Sequence, residues 1–201
     1  MKGSLIIVGF FIIGLLCGYA GIVDISRLGF DISFVALAVL IFLVGIGIGH
    51  NISELKKNLR TLRPGMLLLP LVTIIGTLAG ALAVSLFIPS RSIPEVLAVG
   101  SGFGYYSLSS ILITETKGAE LGIIALLANI CREVITLLGA PLLCRLFGPL
   151  APISSGGATS MDTTLPIITA VSGNKFAVLS VYHGFVVDLS VPLLVTLFCN
   201  I

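Results

Sequence analysis

Four ionisable residues stand inside or beside long apolar runs: Arg132, Glu133, Asp162 and Asp188. An ionisable side chain at bilayer depth costs about 2.5–3.5 kcal/mol on insertion scales, so each one marks a candidate functional site. Glu133 is near the centre of the apolar stretch 118–147. On a helix Asn129 lies one turn before it on the same face, while Arg132 points about 100° away. A carboxylate facing a polar cavity takes a proton or pairs with a cationic substrate; the alternative is a permanent pair with an arginine, Arg132 itself with its stem bent included. For Arg132 the structural role, neutralising an acid on another helix, is the stronger expectation. Asp162 is placed to cap a half-helix N-terminus. His183 and Asp188, five residues apart, either form a proton relay or leave the histidine as a helix contact.

Other chemistries find no residues to carry them. Only His50 and His183 are present, without His-Glu-x-x-His spacing, and no Walker A sequence occurs. Cys17, Cys131, Cys144 and Cys199 lie in apolar segments without metal-ligand spacing. No enzyme activity, metal or cofactor is expected, and any pumping must be driven by a gradient. The net charge of +2 says little by itself, and with no basic stripe to track phosphates no nucleic-acid partner is expected.

The elements that must position these residues are membrane helices. The chain is 57% hydrophobic and 10% charged, with a mean hydropathy of +1.19, whereas a soluble domain carries roughly 25% charged residues to keep its surface hydrated. A span needs about 20 mainly apolar residues. Segments 4–23, 33–49 and 65–88 qualify cleanly. The first partly resembles a signal peptide, with Lys2, an apolar run and Gly18-Tyr19-Ala20, but its apolar character continues to Val23, which favours a retained span. Segments 118–147 and 176–199 are also long enough to cross.

Segments 95–114 and 151–171 are interrupted. Between 100 and 110 seven of eleven residues are Gly or Ser, and between 154 and 164 nine are Gly, Ser, Thr or Asp. Backbone that leaves the helix at membrane depth must be buried in protein or line a wet cavity, and paired glycine-interrupted segments point to a transporter binding site. Small residues that only let helices pack closely are the alternative; their density here favours cavity-lining breaks. Tyr105, Tyr106, Ser107 and Ser109 in the first break and Asp162, Thr163 and Thr164 in the second join Asn129, Arg132, Glu133, His183 and Asp188 as candidates for binding substrate or protons. The fold class is thus an all-α integral membrane bundle, one transmembrane transporter domain over 1–201, with two broken or re-entrant segments.

Basic loops stay cytoplasmic. The connector 50–64 carries Lys56, Lys57, Arg60 and Arg63, which places the N-terminus inside and the C-terminus outside. Seven crossings, or five with two re-entrant segments, both give a seven-to-three ratio of basic residues. Charge therefore leaves the number of crossings open.

The stretches Gly100–Ser110, Leu126-Leu-Ala-Asn-Ile130 leading to Arg132-Glu133, Gly156–Pro166 and Tyr182-His-Gly184 followed by Val191–Val195 resemble the bacterial lysine exporter family over most of the chain. The resemblance implies a transporter of the cytoplasmic (inner) membrane that exports L-lysine and toxic lysine analogues in exchange for protons, with Glu133 at the place of a functional acid. Another cation–proton or small amino-acid carrier, or a non-transporting membrane subunit, are the alternatives. One-chain members carry an additional N-terminal membrane portion with a second acid, which this chain begins without. The resemblance then implies that a small membrane protein or self-association supplies it.

Overall fold

The computed structural model describes residues 64–201, together with 13–14, 16–21, 39, 42 and 46. The expected spans 4–23 and 33–49 as wholes, and the basic connector with His50, lie outside the described residues.

Three described helices are long and apolar enough to cross a membrane. The first, α1 (Leu69–Ser85), is led in by a 3-10 turn over Pro64–Leu68. The others are α4 (Ala119–Phe147) and α7 (Ala177–Cys199). None is amphipathic in the soluble sense. They leave Ile75, Ile135 and Leu193 exposed at 67, 61 and 72%, which is the surface of a helix whose solvent is lipid.

Between them lie the two interrupted segments. The first consists of α2 (Ile93–Gly100) and α3 (Tyr106–Lys117). Helix α2 starts with a capping box: the Glu95 amide donates to Ser92 Oγ, and the Ser92 amide donates to Glu95 Oε2. It stops where Phe103 and Gly104 take positive φ, 45° and 95°. The second consists of α5 (Ala151–Gly156), a 3-10 turn over Gly157–Met161 and α6 (Leu165–Ser172). A 3-10 turn, Asn174–Phe176, leads into α7.

Both segments are re-entrant. Arg91, just before α2, forms an ion pair with Glu120 at the start of α4, so the arm that enters and the arm that returns share one end of the bundle. Gly122 packs against Thr114 as α3 turns into α4. At the opposite end Cys144 Sγ, near the close of α4, donates to Val171 O at 3.3 Å, so α5 and α6 begin and finish there. The two hairpins enter from opposite ends and their tips touch, with the Ala158 amide donating to Phe103 O at 2.9 Å. Ala98, Phe103, Ile113, Leu121, Ala125, Ala158, Val187 and Val191 form one buried cluster around this meeting point. Ile153, Ile168, Phe176 and Leu179 form a second one at the base of the other hairpin.

This geometry fixes an outcome that charge counting left open. Single cysteines replacing Arg91 and Lys117 are expected to react with a membrane-impermeant maleimide from one face, and cysteines replacing Arg145 and Lys175 from the other. Labelling of Arg91→Cys and Lys117→Cys from opposite faces would show a crossing instead of a hairpin.

Candidate functional site

Where the tips meet, at mid-depth, a cavity of about 280 Å³ opens. Its walls come from four elements. The first break and α3 give Gly104, Tyr105, Tyr106 and Ser107; α4 gives Glu133; the second hairpin gives Ala158, Thr159, Met161, Asp162 and Thr163; α7 gives Asp188. Glu133 is the fifteenth of 29 residues in α4, and Asp188 is the twelfth of 23 in α7. Both carboxylates therefore stand at the midpoint of a helix long and apolar enough to cross a membrane.

Three carboxylates line this one cavity, and among the described residues no Lys, Arg or His joins them. Thr163 lies beside Glu133 in the cavity with its hydroxyl donating to Asp162 Oδ1, and Asp162 lies within electrostatic reach of both Glu133 and Asp188. Like charges confined in a poorly hydrated space are held together only when protons or a cationic guest compensate them. Hydroxyls of Tyr105, Tyr106, Ser107, Thr159 and Thr163 supply neutral donors and acceptors. The first turn of α3 borders the cavity, and the positive end of a helix dipole favours a negative charge there. The site thus suits a guest with positive groups and a carboxylate.

Of the candidates read from sequence, Tyr105, Tyr106, Ser107, Glu133, Asp162, Thr163 and Asp188 come together in the cavity. The others form the frame around it. Asn129, 3% exposed, accepts from the Gly104 amide at 2.7 Å and donates to Ala125 O at 2.9 Å. Ser109 donates to Tyr105 O at 2.8 Å. Thr164 donates to Thr159 O at 2.9 Å. Asn129 thus satisfies the Gly104 amide in the first break, while Ser109 and Thr164 add side-chain bonds to carbonyls that backbone amides also reach.

Arg132 departs from both expectations made for it. Among the described residues it pairs with no acid, neither Glu133 nor one on another helix. Its guanidinium donates to Ser155 O and Ser154 O, each at 2.9 Å, and to Thr77 Oγ1 at 3.2 Å. Those carbonyls end α5, where the helix has run out of amide donors and carries partial negative charge. The cation therefore caps a half-helix and leaves the Glu133 carboxylate without a fixed counter-charge.

His183 is fully buried. One ring nitrogen contacts Thr73 Oγ1 and the other Ser160 Oγ, both at 2.9 Å, so the structure does not join it to Asp188 as a relay. Asp162 is not the cap of α6: that place belongs to Thr164, without a side-chain bond. Asp162 Oδ1 instead accepts from the neighbouring Thr163 amide at 2.5 Å. Gly104, Ala158, Thr159 and Met161, which also line the cavity, lie within the two segments expected to be cavity-lining breaks but were not singled out individually. Thr73 and Thr77, four apart on α1, were detectable as a hydroxyl pair on one helical face.

Residues 8–199 match the family of the lysine exporter LysO. The chain is 36% identical over 195 residues to the lysine exporter LysO of Escherichia coli strain K12. It is 35% identical over 164 residues to a Haemophilus influenzae protein provisionally named a lysine exporter. The first alignment covers 97% of this chain and 64% of the relative, so the chain spans under two thirds of that protein's length. The second covers 82% of each. No solved structure matches. The helices that can span a bilayer make it a membrane-bound protein, and the extent of the match makes it a member of the lysine exporter LysO family.

Proposed function

We propose that this chain exports L-lysine, and toxic analogues of it, across the cytoplasmic membrane in exchange for protons. The observation that carries the reading is the mid-depth cavity lined by Glu133, Asp162 and Asp188 with no basic side chain among its described walls. Lysine brings two ammonium groups and one carboxylate. The ammonium groups pair with the acids, and the carboxylate lies against the first turn of α3, where the helix dipole favours it. Glu133 is the group at which proton and lysine compete: lysine leaves as a proton arrives, which couples the two fluxes. Asp162, Thr163 and the tyrosines orient the guest.

The end of the bundle that holds the start of α1, Arg145 and Lys175 is the cytoplasmic one. The described ends carry two basic residues each, Arg145 and Lys175 against Arg91 and Lys117. The connector with Lys56, Lys57, Arg60 and Arg63 runs directly into α1 and tips the balance. The C-terminus is then outside.

The test is transport by the purified chain in liposomes loaded with labelled lysine. Efflux is expected to follow an opposing proton gradient and to be unaffected by a sodium gradient. Exchange driven by sodium, or none with lysine on either side, would refute the reading and favour a different cation carrier.

A further inference from the structure

The chain runs through the same construction twice, in opposite senses. Residues 93–147 form a hairpin that enters and leaves at one end, followed by a helix crossing to the other; residues 151–199 do so from the other end. The sequence Pro141-Leu142-Leu143 with Leu146-Phe147 recurs 51 residues later as Pro192-Leu193-Leu194 with Leu197-Phe198. Apolar helices can share such a pattern by chance, so geometry must decide. Each tip carries a glycine of positive φ, Gly104 at 95° and Gly157 at 61°. Each returning arm ends on another, Gly118 at 95° and Gly173 at 99°. Inverted-topology repeats of this kind place their site at the repeat interface, which is where the cavity lies.

Counting back from the two prolines pairs Asn129 with Ser180 and Arg132 with His183. The first pair behaves alike: each residue bonds the tip of its own unit's hairpin, Asn129 to the Gly104 amide and Ser180 to Ser160 O, both at 2.7 Å. The second pair is alike in one respect, since each reaches a threonine on α1, Thr77 or Thr73. It differs in the other. His183 stays with its own hairpin through Ser160, whereas Arg132 crosses to the other unit and grips Ser154 O and Ser155 O. Thr136, one turn further along α4, adds a hydroxyl contact to Ser155 Oγ at 2.7 Å. Among the described residues His183 makes no matching hydrogen bond to the first hairpin.

In an inverted repeat the two access states are related by exchanging the conformations of the two units. Contacts that obey the internal symmetry survive the exchange, and a contact made by one unit alone belongs to one state. We propose that Arg132 and Thr136 are positioning residues that clasp the tip of the second hairpin to α4 in one access state and release it in the other. The inference rests on the transport reading of the cavity, though not on lysine as the cargo.

With Cys17, Cys131, Cys144 and Cys199 changed to Ala, Thr136→Cys/Ser155→Cys replaces two touching hydroxyls with thiols. The reduced full chain in liposomes is expected to exchange labelled lysine. Oxidation is expected to slow that exchange more than tenfold, and dithiothreitol to restore it. A smaller slowing, or a pair that does not cross-link, overturns the clasp. A second measurement needs no cargo. Thr136→Val deletes the hydroxyl contact, and deuterium uptake by backbone amides of 151–161 is expected to rise at least threefold with 98–106 unchanged. An equal rise in both hairpins, or none, overturns the clasp as well. Absence of lysine exchange in every sample, the unmodified chain included, faults the lysine assignment, and the deuterium result then judges the clasp alone.

Discussion

Glu133→Gln is expected to cut lysine exchange roughly a hundredfold and to leave the protein folded. Truncating one partner of a buried, hydrogen-bonded charge pair costs about 2–5 kcal/mol, and each 1.4 kcal/mol is about tenfold in affinity or rate. The substitution keeps the shape while removing the charge that an ammonium group would meet. Folding does not depend on that charge, because Arg132 spends its donors on Ser154 O, Ser155 O and Thr77. A neutral amide at the centre of α4 also avoids the desolvation cost of a carboxylate. Thermal unfolding in detergent should therefore match or exceed that of the unmodified chain. The coupling readout is sharper still. Where proton and lysine compete for one carboxylate, residual flux through the glutamine variant no longer responds to a proton gradient. Normal flux with intact coupling would remove Glu133 from the mechanism, and loss of flux with loss of fold would make it a structural residue.

The same residue shows how far sequence reasoning reaches. A carboxylate at the middle of a 29-residue apolar helix is legible without coordinates, because the cost of placing it there demands a reason. The two breaks are legible for a related cause: Gly and Ser at the density of 100–110, and Gly, Ser, Thr and Asp at that of 154–164, cannot sustain lipid-facing helix. The sense of the breaks is not legible. A hairpin and a kinked crossing move Lys117 and Arg145 in compensating directions, and contacts between residues far apart in the chain, Arg91 with Glu120 and Cys144 with Val171, reveal which one forms. Arg132 was misjudged because helical geometry gives the direction of a side chain and not what waits there. The open carbonyls that end α5 exist only once the chain has broken at Gly157, so an acid was the partner to expect. His183 turns on Thr73, 110 positions away. Separations of that length are set by which helices neighbour one another, which apolar periodicity does not encode when helices are hydrophobic all round.

Gly157→Ala is expected to be the most damaging single methyl group in the described structure. The residue has φ +61°, and an added Cβ would stand 2.2 Å from Phe103 O and 3.1 Å from the Phe103 carbonyl carbon. Two costs combine there. A left-handed backbone costs a residue with a Cβ about 1–2 kcal/mol, and steric overpacking costs about 1–3 kcal/mol more. The neighbour cannot yield easily, since Phe103 is itself at φ 45° and fully buried, and its carbonyl accepts the Ala158 amide. Relief would have to come from parting the two hairpin tips, which opens the cavity wall between Gly104 and Thr159. Gly148→Ala separates the two costs: Gly148 has φ +86° but nothing within 4 Å of an added Cβ, so it carries backbone strain alone. The expected order is a modest fall in unfolding temperature for Gly148→Ala and a collapse of monodisperse, transport-competent protein for Gly157→Ala. Equal, modest effects at both positions would mean that the tips do not touch at Gly157, and the meeting of the two re-entrant hairpins on which the cavity depends would have to be abandoned.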